Sequence, residues 1–129
     1  MTRINVVPVE ELTDKHLRAE YREITRVFTL VKKAVGNDHT PGSVDIPKDY
    51  VLGPGHVKFF YNKLLYVKKR YEELYEELKR RGGGPSAELR TMIVTSAMIN
   101  IPKGWWNDYT PTEVALRLNR QRIAERIRG

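Results

Sequence analysis

Apolar residues recur along this chain at alternating spacings of three and four, the period of an amphipathic helix, over three separate stretches. The first runs from Asp14 to Val35, where Leu17, Tyr21, Ile24, Phe28, Val31 and Val35 form one stripe. Thr13 offers an N-cap oxygen and Gly36-Asn37 a stop. The second runs from His56 to Arg81, with Val57, Phe60, Leu64, Val67, Tyr71, Leu74 and Leu78 on one side. Glu76–Arg80 and Glu77–Arg81 add favourable i,i+4 pairs, and Gly82-Gly83-Gly84-Pro85 ends the helix. The third opens at Thr110-Pro111-Thr112-Glu113, read as a capping box with proline in the first helical position, and continues to Ile127. Its stripe of Val114, Leu118, Ile123 and Ile127 is thin, which places it on one edge of the packing. Asn37 to Gly55 reads as a Gly/Pro-punctuated loop, and Ser86 to Ile101 is apolar without choosing between short helix and strand. The expected fold is all-α: one compact domain of three main helices with long connecting loops, residues 1–129 forming a single unit.

Composition narrows the class. The chain has 129 residues and no cysteine, which removes disulfides and thiolate metal sites. The start, Met1 to Asn5, is polar with no apolar segment behind it, and no apolar run reaches membrane-span length, so the expectation is a soluble intracellular (cytoplasmic) protein without a leader. The formal net charge is +7, which favours a polyanionic partner, nucleic acid before membrane.

The cations are grouped. Lys15, Arg18, Arg22, Arg26 and Lys33 share with Thr29 the face opposite the first apolar stripe. The second helix offers Lys58, Lys63, Lys68, Lys69 and Arg70 without an intervening acid, and the third Arg117, Arg120, Arg122, Arg126 and Arg128 against Glu125. Each run alone is an ordinary solvated face; three in one small domain point to DNA or RNA. Trp105-Trp106, side by side in a loop, could stack on a base or wedge into a duplex, although one of such a pair usually belongs to the core.

No phosphate loop or dinucleotide fingerprint is present, and His16, His39 and His56 are scattered, so no metal or cofactor is expected. Glu23 falls between the apolar and basic faces of the first helix, where a carboxylate can be partly desolvated for acid/base work; a surface salt bridge is the plainer reading. Thr2 is small, so Met1 is removable and would expose an α-amine of pKa about 8, part of it neutral and nucleophilic near pH 7.

Three blocks carry a family resemblance. They are Met1-Thr2-Arg3-Ile4-Asn5 with His16-Leu17-Arg18-Ala19-Glu20-Tyr21-Arg22-Glu23 and Arg26-Val27-Phe28; Leu52-Gly53-Pro54-Gly55-His56-Val57-Lys58-Phe59-Phe60-Tyr61-Asn62-Lys63-Leu64; and Ile101-Pro102 followed by Asp108-Tyr109 and Pro111-x-Glu113. Together they resemble the phage-type endonuclease V family of pyrimidine-dimer DNA glycosylase/AP lyases. The resemblance implies that the Thr2 amine attacks C1′ of a damaged nucleotide in duplex DNA, that the glycosidic bond gives way to an imine, and that β-elimination cuts the strand. It makes Glu23 the catalytic carboxylate, and Arg3, His16, Arg22, Arg26, Arg122 and Arg126 the residues around the lesion and its phosphates. It implies damaged double-stranded DNA as partner, no metal and no cofactor; a monomer is expected. The alternatives from charge alone are a non-catalytic basic helical module for DNA or RNA, and a helical scaffold for an acidic protein. Three departures stand out. The phage member continues past the third helix into an aromatic and basic tail, whereas this sequence ends at Gly129, so Trp105-Trp106 are candidates for part of that surface. Residues 83–100 diverge, and Thr25 stands where the family pattern has proline.

Overall fold

A computed structural model describes residues 3–84 and 86–128, for Arg128 the backbone alone. It is all-α among those residues: α1 (Asp14–Glu23), α2 (Arg26–Gly36), α3 (Leu64–Arg80), α4 (Ala87–Met98) and α5 (Glu113–Arg128), with short 3-10 turns at Val9–Glu11, Lys58–Phe60 and Lys103–Trp105. None of these helices is long and apolar enough to cross a membrane.

The expected first helix is therefore two. Thr13 caps α1, its side chain accepting from the His16 amide, but the helix is interrupted at Ile24-Thr25. Both residues keep right-handed helical backbone angles, and the Val27 amide bonds to the Ile24 carbonyl, a tightened turn that needs no proline. The apolar stripe continues across the break: Leu17, Ile24, Val27, Phe28 and Val31 are all buried.

The expected second helix starts late. Residues 56–63 form turns and a 3-10 segment, and α3 begins at Leu64. Consecutive Phe59 and Phe60 are both buried, which one face of an amphipathic helix cannot provide. Lys63, at φ −129° and ψ 40°, closes the irregular stretch. Gly55 directs the chain into it: at φ +88° a Cβ would stand 3.1 Å from Pro47 Cγ. Once formed, α3 is the central helix, with α1, α2 and the Val9–Glu11 turn all packed on it. Tyr21 of α1 stacks on Tyr71 of α3, ring centres 4.9 Å apart and hydroxyls 2.9 Å apart.

The ambiguous stretch resolves as α4, capped by Ser86, whose hydroxyl accepts from the Leu89 amide. It rests on α2 without fully burying any residue. The last helix starts at Glu113, with the Thr112 hydroxyl accepting from the Ala115 amide, so the cap is Thr112 and Pro111 precedes it. Its inner seam also differs from the expected stripe: Val114 and Ile127 are exposed, while Ala115 and Asn119 are buried.

The N-terminal segment is the largest addition to the sequence reading. Ile4, Asn5, Val6 and Val7 are buried although they form neither helix nor strand. Such backbone must find hydrogen-bond partners outside regular structure. The Ile4 amide donates to His56 Nε2 (2.9 Å), and Asn119 Oδ1 accepts from the amides of Val6 (2.7 Å) and Val7 (3.1 Å). Arg70 Nη1 donates to the Val7 carbonyl.

The two tryptophans differ in burial. Trp105 is core, and Trp106 donates its indole N–H to the Ile101 carbonyl while its ring packs 5.8 Å from that of Phe28. One of the pair thus belongs to the core, as expected, while Trp106 stays half-buried.

Candidate active site

A cleft with about 190 Å³ of open space lies between the N-terminal segment, α1 and α5. Its lining follows from local periodicity. His16, Ala19, Glu20 and Glu23 stand at i, i+3, i+4 and i+7 along α1, so one helix face supplies them all. Ile123 and Arg126 come from α5 with the same spacing, and Arg3 and Asn5 from the N-terminal segment.

Four of the residues expected at a site thus meet in one cleft: Arg3, His16, Glu23 and Arg126. Arg122 is close enough for its charge to act on Arg3. Arg26 stands on the Glu23 side, its Nη1 3.7 Å from Glu23 Oε2. Arg22 faces elsewhere, onto a shallow groove shared with Arg18, Tyr21, Leu78, Gly84, Leu89 and Ile93. Thr2 lies outside the described residues; Arg3, the residue that follows it in the chain, lines the cleft.

The electrostatics are those of an anion site. Burial and the neighbouring charges of Arg126 and Arg122 lower the Arg3 pKa, partly opposed by Tyr50 and Glu23, and a guanidinium so perturbed still carries its charge. Three guanidiniums crowded together repel, and an incoming phosphate would relieve that repulsion. Burial also lowers the His16 pKa, assisted by Lys15, Arg3 and Arg126, which favours a neutral imidazole. His16 Nδ1 and Arg122 Nε are buried without a protein hydrogen-bond partner among the described residues. Glu23 remains partly open, its side chain 25% exposed, whereas Glu20 one turn earlier is sealed.

The helix-by-helix cation count overstates the open positive surface. Arg70 is buried against Glu20, Lys69 pairs with Asp108 at 2.6 Å, and Lys63 donates to the Phe59 carbonyl and to Asn62 Oδ1. Arg120 forms a two-pronged pair with Glu11, at 3.0 and 2.9 Å. The outward cations of α1 and α2 stay open as expected: Lys15, Arg18, Arg22, Arg26 and Lys33 are all exposed. Among the described residues no group of three or more His, Cys, Asp or Glu side chains could hold a metal ion.

Sequence reasoning passed over the polar residues beneath the cleft. Glu20 and Arg70 each sit within an apolar stripe, between Leu17 and Ile24 and between Val67 and Leu74, and a charge in that position signals a buried partner. His56 is likewise sealed. Its Nδ1 lies 2.8 Å from the Val51 carbonyl and must carry the proton, which leaves Nε2 as acceptor for the Ile4 amide.

That arrangement sets a pH dependence. Burial lowers the His56 pKa, with Arg3 and Arg122 adding to it and the bonds to Val51 and Ile4 opposing it. The His16 shift has the same sign. A histidine whose folded pKa lies below its unfolded value takes up protons on unfolding. The stability it contributes is complete above about pH 6.5 and is lost as pH falls through the folded pKa. Thermal melts should therefore show a falling Tm from pH 7.5 to pH 5, with a shallower slope in His56→Gln. An equal slope in that variant would show that His56 does not titrate with unfolding.

A family model described as pyrimidine dimer DNA glycosylase matches residues 1–91, the part of the chain that contributes Arg3, His16, Glu20 and Glu23 to the cleft.

Proposed function

Because this chain belongs to the pyrimidine dimer DNA glycosylase family, we propose that it removes UV-linked pyrimidine dimers from duplex DNA through its own N-terminal amine, and then cuts the strand as an AP lyase. The observation that supports this reading is the convergence of Arg3, His16, Glu23 and Arg126 on one cleft beside the N-terminal segment.

In this reading Met1 is removed and the neutral fraction of the Thr2 amine attacks C1′ of the damaged nucleotide. The new N–C bond forms as the glycosidic bond breaks, and the departing pyrimidine nitrogen takes the bonding pair and a proton. Opening of the sugar ring gives a protonated imine. Glu23, 25% exposed at the cleft, steadies that cation and accepts the C2′ proton. The electron pair released from C2′ expels the 3′ phosphate by β-elimination. Arg3, Arg122 and Arg126 hold strand phosphates, Arg26 contacts the backbone beside the lesion, Arg22, on the neighbouring groove, meets phosphates farther along the duplex, and a near-neutral His16 stands by the reacting centre. Bringing a base out of the stack costs a few kcal/mol, about the scale that a poorly stacked dimer reduces. The chemistry as written calls for no metal or cofactor.

Borohydride trapping tests the reading. Protein whose intact mass shows Met1 removed, incubated with UV-irradiated or abasic-site duplex and borohydride, should form a covalent protein–DNA adduct. Salt-dependent binding without an adduct from the processed protein would reduce the chain to a non-catalytic basic module. Protein retaining Met1 should bind and fail to trap, since its Thr2 nitrogen is an amide.

A further inference from the structure

We infer that Asn119 is a positioning residue for this reaction, fixing from the middle of α5 the register of the N-terminal segment against the helix that carries Glu23. The inference rests on the amine-and-glutamate mechanism proposed above.

Asn119 is fully buried on a helix whose neighbouring Arg120 and Gln121 face solvent. Its Oδ1 receives the Val6 and Val7 amides, and its Nδ2 donates to Asn5 Oδ1 at 2.8 Å. The orientation is determined, because a reversed amide would turn its NH₂ toward two N–H donors. Asn5 passes the contact on, Nδ2 donating to Glu20 Oε1 at 2.8 Å. Arg70 then clamps both Glu20 oxygens, at 2.8 and 3.1 Å.

The geometry of the cleft hangs on this relay. Arg122 and Arg126 follow Asn119 at i+3 and i+7, so they project from the same side of α5. Glu23 follows Glu20 at i+3 on α1. Arg3 lies two residues before Asn5. One continuous set of buried hydrogen bonds thus joins the three elements that line the cleft. An apolar residue at 119 could fill the volume, but it would leave the Val6 and Val7 amides without their acceptor and would not distinguish one register of the segment from the next. Displacing a nucleophile by about 1 Å can cost on the order of a hundredfold in rate.

Single-turnover trapping separates positioning from mere support. Met1-free protein at saturating concentration is mixed with abasic-site duplex and borohydride, and affinity is measured separately on a duplex holding a tetrahydrofuran abasic analogue, which cannot form an imine. Asn119→Leu that is folded by circular dichroism should keep its affinity within about threefold and form the imine on the order of tenfold to a hundredfold more slowly. Asn119→Ser, which retains an acceptor oxygen, should recover part of that rate, and it decides the matter if the leucine variant does not fold. Folded variants that trap at the unaltered rate, or whose affinity falls as far as their rate, overturn the inference. Failure of the unaltered processed protein to trap is a different result: it strikes the catalytic reading first and removes this one with it.

Discussion

Glu23→Gln should bind damaged duplex with nearly unchanged affinity and lose strand cleavage by about 100- to 10,000-fold, the usual worth of a positioned proton acceptor. The substitution keeps the shape and one carbonyl oxygen but removes the basic carboxylate and its charge. The only ion pair that Glu23 forms within the described residues is the 3.7 Å contact with Arg26, whose side chain is 60% exposed. Such a pair contributes less than about 1 kcal/mol, so the fold should not suffer. Gel-shift affinity and nicking of a dimer-containing oligonucleotide, measured on the same preparation, check both halves. A Glu23→Gln protein that nicks at the unaltered rate removes this residue from the mechanism.

Glu20, three residues earlier on the same helix, should behave in the opposite way. The Glu20 and Arg70 side chains are 1% and 3% exposed and joined by two hydrogen bonds. Burial works to lower the Arg70 pKa, and the charge and hydrogen bonds of Glu20 outweigh it and raise it. Removing one partner strands the other charge in the core, which costs about 3–5 kcal/mol. Glu20→Ala or Arg70→Ala should therefore lower Tm on the order of 10–20 °C for a domain of this size. The double replacement Glu20→Leu/Arg70→Met should lose much less than the sum, since no lone charge remains. Thermal melts of the four proteins decide it. A single variant that melts within about 2 °C of the unaltered protein would mean that the pair holds nothing together.

The contrast between these two carboxylates marks where sequence reading stops. Both lie on α1 within one helical turn, and the position of Glu23 between apolar and basic faces is visible from the period alone. The destination of Glu20 depends on Arg70, 50 residues away, and on Asn5 across the N-terminal segment. The break at Ile24-Thr25 was equally hidden, because the apolar stripe runs through it without a change of phase. So was the late start of α3, where buried Phe59 and Phe60 and the inward His56 ring overrule a helical spacing. The basic runs read from each helix lost members to partners that only folding supplies, Arg120 to Glu11 and Lys69 to Asp108 among them.

What the chain determined by itself was the helical class, the outward cations of α1 and α2, the cap at Thr13, and a set of residues bearing a family's pattern. Helical period and capping are local, written within a few consecutive positions, and so they survive without knowledge of the rest. Tertiary structure decided which charges stay open and which are sealed. It also decided that an irregular N-terminal segment becomes core, and that Arg3, His16, Glu23 and Arg126 share one cleft. Those outcomes turn on hydrogen bonds between distant positions, Asn119 to Val6 being 113 residues apart. A buried donor accepts whichever partner the packing brings to it, and no local spacing names that partner in advance.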